Sequence, residues 1–171
     1  QGLHLETEAT VRAMRAFVLD WNANPSLVGD KQATAYLTEA ETEAVSALQK
    51  DNQNTLALAF YAEILVDQQK WNPAEQNILQ ALEREDAANL MDVHRVYAYV
   101  LESLGDYKQA IEEYDKAIII SPNLTFLYLT IGHNYRTLAF LSTIPAQQND
   151  LYNSARASYA KAITINDQLN I

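Results

Sequence analysis

Gly105-Asp106-Tyr107-Lys108-Gln109-Ala110-Ile111-Glu112-Glu113-Tyr114-Asp115-Lys116-Ala117-Ile118-Ile119-Ile120-Ser121-Pro122 reads as a turn, a helix and a stop. Gly-Asp is a turn dipeptide, and a proline blocks helix continuation while biasing Ser121 away from the helical region. Between them, Tyr107, Ala110, Ile111, Tyr114, Ala117 and Ile118 recur at helical spacing and form one apolar stripe. Glu112, Glu113, Asp115 and Lys116 take the other face, which predicts a solvated surface. Ala110 and Ala117 are small residues on the buried stripe, flanked by larger ones, where a neighbouring helix has to come close.

The pattern recurs along the chain. Thirty-six residues back, Ala74, Ile78 and Ala81 match Ala110, Tyr114 and Ala117, with Trp71 in the place of Tyr107. A further 34 back stand Ala40, Ala44 and Ala47 with Leu37 in the aromatic slot, and 45 forward stand Ala155, Tyr159 and Ala162 with Tyr152. The preceding helices register too: Tyr61-Ala62 with Tyr97-Ala98 at 36 residues, then Ile131-Gly132 at 34. A period of about 34 residues with a helix-turn-helix in each unit is the signature of a stacked helical array.

These residues resemble the tetratricopeptide repeat family: Ile131-Gly132 and Tyr135 in a first helix, Gly105-Asp106-Tyr107 in the turn, and the Ala…Tyr…Ala…Pro series through Pro122. The resemblance covers about residues 31–167 and implies an all-α solenoid of about four units, eight helices, with the last hairpin elongated. The units expected are 5–50, 55–86, 89–122 and 125–167, in one array. Gln1 in place of Met, and a last helix carrying Tyr159, Ala162, Ile163 and Ile165 with no capping helix after it, suggest a piece of a longer protein. Terminal units of such arrays require a polar cap, so either the chain continues past Ile171 or this face pairs with another copy or a partner.

Each remaining segment carries its own expectation. Helix 5–21 has Leu5, Ala9, Ala13, Ala16 and Phe17 on a stripe, with Trp21 a candidate member and Arg12 and Arg15 away from it. Asn22 to Asp30 reads as a long loop before a helix from about Gln32. It serves either as a cover folding Leu27 and Val28 onto the first hairpin or as a contact surface. Pro73 suits a first helical turn, and Asn72 a cap. Trp71 sits in the packing slot, with ligand stacking as the alternative. Ala155 stands seventeen positions after Leu138, an excess of 11 over the six of a tight turn. The segment from Phe140 to Asp150 therefore reads as an arm, either for contact or as a solvated elaboration.

Composition narrows the function. The 171 residues include four Gly, four Pro and no Cys, so no disulfide frame, thiol nucleophile or Cys-based zinc site is available. A net charge of -10 argues against nucleic-acid binding and against docking on anionic membranes. No apolar run is long enough to span a bilayer. His4, His94 and His133 fall in different helices without a partner pattern. No metalloprotease, nucleophile-elbow or phosphate-loop motif occurs, so neither an enzyme nor a metal or cofactor site is expected. Asn123-Leu124-Thr125 matches a glycosylation acceptor, a match too short to carry weight.

Binding is what the resemblance implies. In the family the first helices line a concave groove, and the corresponding stripe here is Leu56, Ala59, Glu63, Asp92, Arg95, Tyr99, Phe126, Leu129, His133 and Arg136. Ala59, Glu63 and Tyr99 stand where a carboxylate clamp would carry its Lys and Asn residues, so a chaperone tail is not the expected ligand. An extended or helical peptide with apolar anchors and an acidic group fits better. Tyr99 and Phe126 suit either groove contact or inter-helix packing. The alternative is a regulatory or oligomerisation module of a larger protein, acting through the uncapped end and the elongated hairpin.

Overall fold

The structure, a computed structural model, describes residues 2–169, with side chains from His4; Gln1, Asn170 and Ile171 lie outside the described residues. Among those residues the chain is helical throughout: α1 (Gly2–Trp21), α2 (Pro25–Val28), α3 (Asp30–Lys50), α4 (Thr55–Asp67), α5 (Trp71–Leu82), α6 (Met91–Leu104), α7 (Tyr107–Ile120), α8 (Thr125–Leu141) and α9 (Pro145–Leu169), with a 3₁₀ turn at Ala87–Asn89. One compact unit extends to Ala88 and a second begins at Asn89.

In the first unit α1 pairs with α3 and α4 with α5, while α4 also packs on α1 and α3. Alanines make the close approach possible. Ala13, Ala47 and Ala57 surround Phe60, and Ala16, Ala40 and Ala44 surround Ile64, all fully buried or within 1 % of it. Phe17 stacks on Phe60 with centroids 4.8 Å apart. Asn54 caps α4 by accepting the Ala57 N–H at 3.0 Å, the use that Asn has at this position.

In the second unit α6 pairs with α7 and α8 with α9, and α7 packs on α8. Its core is Ala98, Leu101, Ala110, Ile111, Tyr114, Ala117, Leu127 and Ile131, so the stripe read from 107–118 is the one that is buried. Gly105 ends α6 at φ +84°. Its N–H donates to Glu102 O at 3.0 Å, and the Asp106 N–H to Leu101 O at 2.9 Å. This paired closure is the Schellman arrangement, whose left-handed residue favours glycine. The same closure ends α4 (Gln69 N–H to Val66 O and Lys70 N–H to Leu65 O, both 2.8 Å), but there Gln69 takes the left-handed position at φ 60°.

Helices α8 and α9 are 17 and 25 residues long against 14 for α6 and α7. The elongation of the last hairpin therefore comes from both of its helices. Pro145 opens α9, so residues 145–150 extend that helix instead of a loop.

Three local expectations are corrected. The segment after α1 is not a cover: Asn24 accepts the Ser26 N–H at 2.9 Å and caps the one-turn α2, which leaves Leu27 82 % exposed. On α1, Leu5 and Trp21 are 40 % and 55 % exposed while Ala9, Ala13 and Ala16 are buried, so the contact face is narrower than the apolar residues suggested. Glu113 is not on a solvated face but buried. Trp71 stands at the start of α5, the place that Tyr107 takes at the start of α7, but is 38 % exposed.

Candidate functional site

The ten residues of the expected groove separate by burial. In the first unit Ala59 is completely enclosed, Glu63 is buried and Leu56 packs beside Phe60. They are part of the packed interior, where α4 meets its neighbours. In the second unit Arg95 on α6 is buried and its Nε donates to Asp92 Oδ1 at 3.1 Å. Tyr99 is half-buried. Phe126 is also partly buried and packs against the core cluster.

What remains accessible is one face of α8: Leu129, 47 % exposed, with His133 and Arg136 exposed beyond it and Phe126 at its base. The spacing 126, 129, 133, 136 keeps these residues on one side of a helix. Arg136 Nη2 donates to His133 Nδ1 at 3.1 Å, so the imidazole accepts and the charge on this face is that of Arg136. From Lys116 to Asn149 the sequence holds no Asp or Glu, in a chain of net charge -10. The α8 face is therefore a cationic and apolar island on an acidic protein.

Sequence reasoning missed the polar interior beneath this face. Asn134, fully buried, donates to Glu102 and, at 2.8 Å, to Thr130 O. Burial raises the Glu102 carboxyl above its ordinary range, and hydrogen bonds from Asn134 and Tyr114 offset part of that rise. Nearby, His94 Nδ1 lies 2.8 Å from Glu113 Oε2, and Lys116 Nζ donates to the other oxygen at 2.6 Å. Burial pushes the Glu113 carboxyl up, but the bonds from His94 and Lys116 outweigh it and hold the group below its ordinary range. The first unit has its own case: buried Glu43 takes Arg12 at 2.9 Å and Arg15 at 3.1 Å. The pairings Asn134–Glu102, His94–Glu113 and Arg12–Glu43 each join two different helices, so no spacing along one helix reveals them.

Gly132 also belongs to the site's support. A Cβ built there would lie 2.5 to 2.9 Å from three ring atoms of Tyr159. Only glycine lets α9 press its aromatic ring onto the α8 backbone.

Acidic groups gather elsewhere, in the first unit, where Glu6, Asp51, Glu83 and Asp86 line a cleft of about 710 Å³ together with Asn54 and Thr55. The Thr55 hydroxyl donates to Asp86 at 2.5 Å. Among the described residues no group of His, Asp and Glu has the arrangement to hold a metal ion, and no helix is long and apolar enough to cross a membrane.

Comparison with known proteins agrees with this architecture. The tetratricopeptide repeat model matches residues 91–124, the α6–α7 hairpin and the turn into α8. No curated protein matches the sequence. Among solved structures, the crystal structure of MamA is 18 % identical with a TM-score of 0.62, covering 87 % of this chain and 81 % of its own. TTC0263, a thermophilic tetratricopeptide repeat protein of Thermus thermophilus, is 21 % identical at TM-score 0.63, covering 86 % and 75 %. BtubC from P. vanneervenii is 17 % identical at TM-score 0.61, covering 84 % and 62 %. The α6–α7 hairpin is thus a tetratricopeptide repeat in sequence, and the chain as a whole has the fold of the tetratricopeptide repeat proteins.

Proposed function

We propose that this chain is a non-enzymatic interaction scaffold that recognises a partner segment through the outer face of α8. The observation that carries this reading is the stripe Leu129, His133 and Arg136, exposed with half-buried Phe126 at its base, in the longest stretch without acidic residues. Its apolar half suits an apolar anchor and its cationic half a carboxylate. Phe126 and Leu129 supply contact area, while Arg136 supplies a charge-assisted donor. Tyr99 on α6 and Asp92 extend the candidate surface within the same unit. Arg95 acts as interior support within that unit.

The test is a peptide array of apolar-acidic segments probed with wild type, a Leu129→Asp variant and a His133→Glu/Arg136→Glu variant, with Lys108→Glu as the control. Arg95 is left intact because its guanidinium is buried against Asp92. Binding lost in both α8 variants and kept in the control, with helicity unchanged, supports the reading. Binding kept in all three refutes it.

A second reading places contact at the last hairpin. Phe140 is 79 % exposed, Leu141 59 % and Ile144 57 % at its tip, and Ile163 is 62 % exposed on α9. Such a surface serves self-association or docking into a larger assembly. Phe140→Ser and Ile163→Ser would abolish that association while leaving peptide capture by α8 intact.

A further inference from the structure

The most regular exposed apolar surface is on α1 and belongs to neither of these readings. Val11, Met14, Val18 and Trp21 are 63 %, 44 %, 53 % and 55 % exposed. Their spacing of three, four and three residues sets them on one stripe about 15 Å long, opposite Ala9, Ala13 and Ala16, which face the interior. We propose that this stripe is a self-association surface on which the α1 of a second copy of the chain packs antiparallel.

Four observations select a second copy as the occupant. First, the repeat of three and four residues is the seam spacing of a helix that pairs with another helix, not that of a surface meeting an irregular partner. Second, an antiparallel two-fold pairs Trp21 with Val11 and Val18 with Met14, so each layer sets a large side chain against a smaller one. A parallel pairing opposes Trp21 to Trp21 and Val11 to Val11, crowding one end and leaving a gap at the other. Antiparallel helices also place their dipoles head to tail.

Third, the charged residue that flanks the stripe, Arg15, is already held by Glu39 at 2.6 Å and Glu43 at 3.1 Å, while Arg12 and Glu8 pair further round the helix, on the side of α3. The stripe itself carries no acidic side chain. It is also a place where two chains of net charge -10 can meet without opposing bare carboxylates. Fourth, the area suits a reversible dimer. The four exposed fractions amount to roughly 400 Å² of apolar surface, at the scale of functional patches and about half of the ~800 Å² per partner of a stable interface. Trp21 is already oriented, since its ring lies 5.4 Å from that of Phe17, which is itself stacked on Phe60.

The experiment is light scattering and sedimentation of the whole chain between ~1 and ~300 μM, a span that covers a weak, reversible contact. The expected result is a mass rising from one chain toward two. A Met14→Glu/Val18→Glu variant should stay at one chain mass with unchanged helicity, while Phe140→Ser should dimerise as wild type does. Because the chain has no cysteine, orientation can be read by cross-linking. Met14→Cys mixed with Val18→Cys should form disulfide-linked dimers under mild oxidation several-fold faster than Met14→Cys alone. A single-chain mass at all concentrations overturns the proposal. So does dimerisation that survives Met14→Glu/Val18→Glu or is lost in Phe140→Ser. Faster cross-linking of Met14→Cys alone overturns the antiparallel arrangement.

Discussion

Replacing Gly132 by alanine sets two opposite effects against each other, and their balance depends on one ring. In an isolated helix the change is favourable, since alanine exceeds glycine by ~1 kcal/mol in a helix interior. Here the new methyl would sit 2.5, 2.7 and 2.9 Å from Cε1, Cδ1 and Cζ of Tyr159, whereas carbon atoms rest at about 3.5–4.0 Å. The ring, or the helix that bears it, has to move by about 1 Å. Overpacking of this kind costs ~1–3 kcal/mol, so in the wild-type background the net change is a loss of up to ~2 kcal/mol. Tyr159→Ala removes the obstacle at its own cost. In that background Gly132→Ala should stabilise by ~1 kcal/mol. The coupling energy across the cycle is then ~1–3 kcal/mol, within the range for residues in contact. Urea unfolding followed by circular dichroism on the four proteins measures it, with equal slopes as the condition for comparing midpoints. A Gly132→Ala effect of the same sign and size in both backgrounds would refute the close-approach argument.

The helix ends give a reciprocal pair of changes. Gly105→Ala, at φ +84°, should lose ~1 kcal/mol, while Gln69→Gly, at φ 60° in the equivalent closure of α4, should gain a few tenths to ~1 kcal/mol; thermal unfolding of both variants is the check. Stability against pH should carry two opposed carboxylates. Glu113, held below its ordinary range, stabilises the fold above the usual carboxylate values and ceases to do so as the pH falls through its lowered value. Glu102, raised by burial, does the reverse: its contribution is fully present below the ordinary carboxylate value and is lost as the pH rises through its raised one. Glu102→Gln should therefore be more stable than wild type at pH 7, lose that advantage by ~pH 4 and fall more steeply in acid; parallel curves for the two proteins would contradict this.

Much of the fold was legible because tetratricopeptide-type packing writes itself into small residues. Ala40, Ala44, Ala74, Ala81, Ala110 and Ala117 are all fully buried, as their spacing required, since close helix contacts accept little else. Gly105 and Pro122 marked turns by backbone chemistry alone. The hidden parts are those in which tertiary contact overrides a local rule. Gln69 occupies a left-handed turn with no glycine to announce it. Asn24 converts part of a long loop into α2 through a single cap bond. The stripe Val11, Met14, Val18, Trp21 is hidden because an exposed apolar face of α1 has the same helical period as the buried one. Glu43 and Glu113 lie on the inward side, where composition alone predicts solvent, because Arg12, Arg15 and His94 reach them from other helices, at positions that no linear motif connects.

The interior polar residues bear directly on the candidate surface. A helix packed by apolar contacts alone resists rotation about its axis weakly, since one alkyl side chain replaces another at small cost. Helix α8 is fixed differently: Asn134 has no exposure and bonds to Glu102 on α6 and to Thr130 O on its own helix. Rotation by one residue, about 100°, would carry this amide out of its bonds, leave the Glu102 carboxyl with the Tyr114 bond but not that of Asn134, and bury His133 or Tyr135 instead. Burying a polar group without its partner costs ~1–3 kcal/mol, more for a charge, which exceeds what slippage of alkyl contacts could recover. With Asn134 held inward, Phe126, Leu129, His133 and Arg136 fall about 80–160° around the helix from it, toward solvent. The orientation of the exposed stripe is then set by a buried amide and a carboxylate that touch no ligand. Asn134→Leu keeps size and removes the bonds, so it should weaken capture of an apolar-acidic segment by α8 while leaving most of the helicity intact.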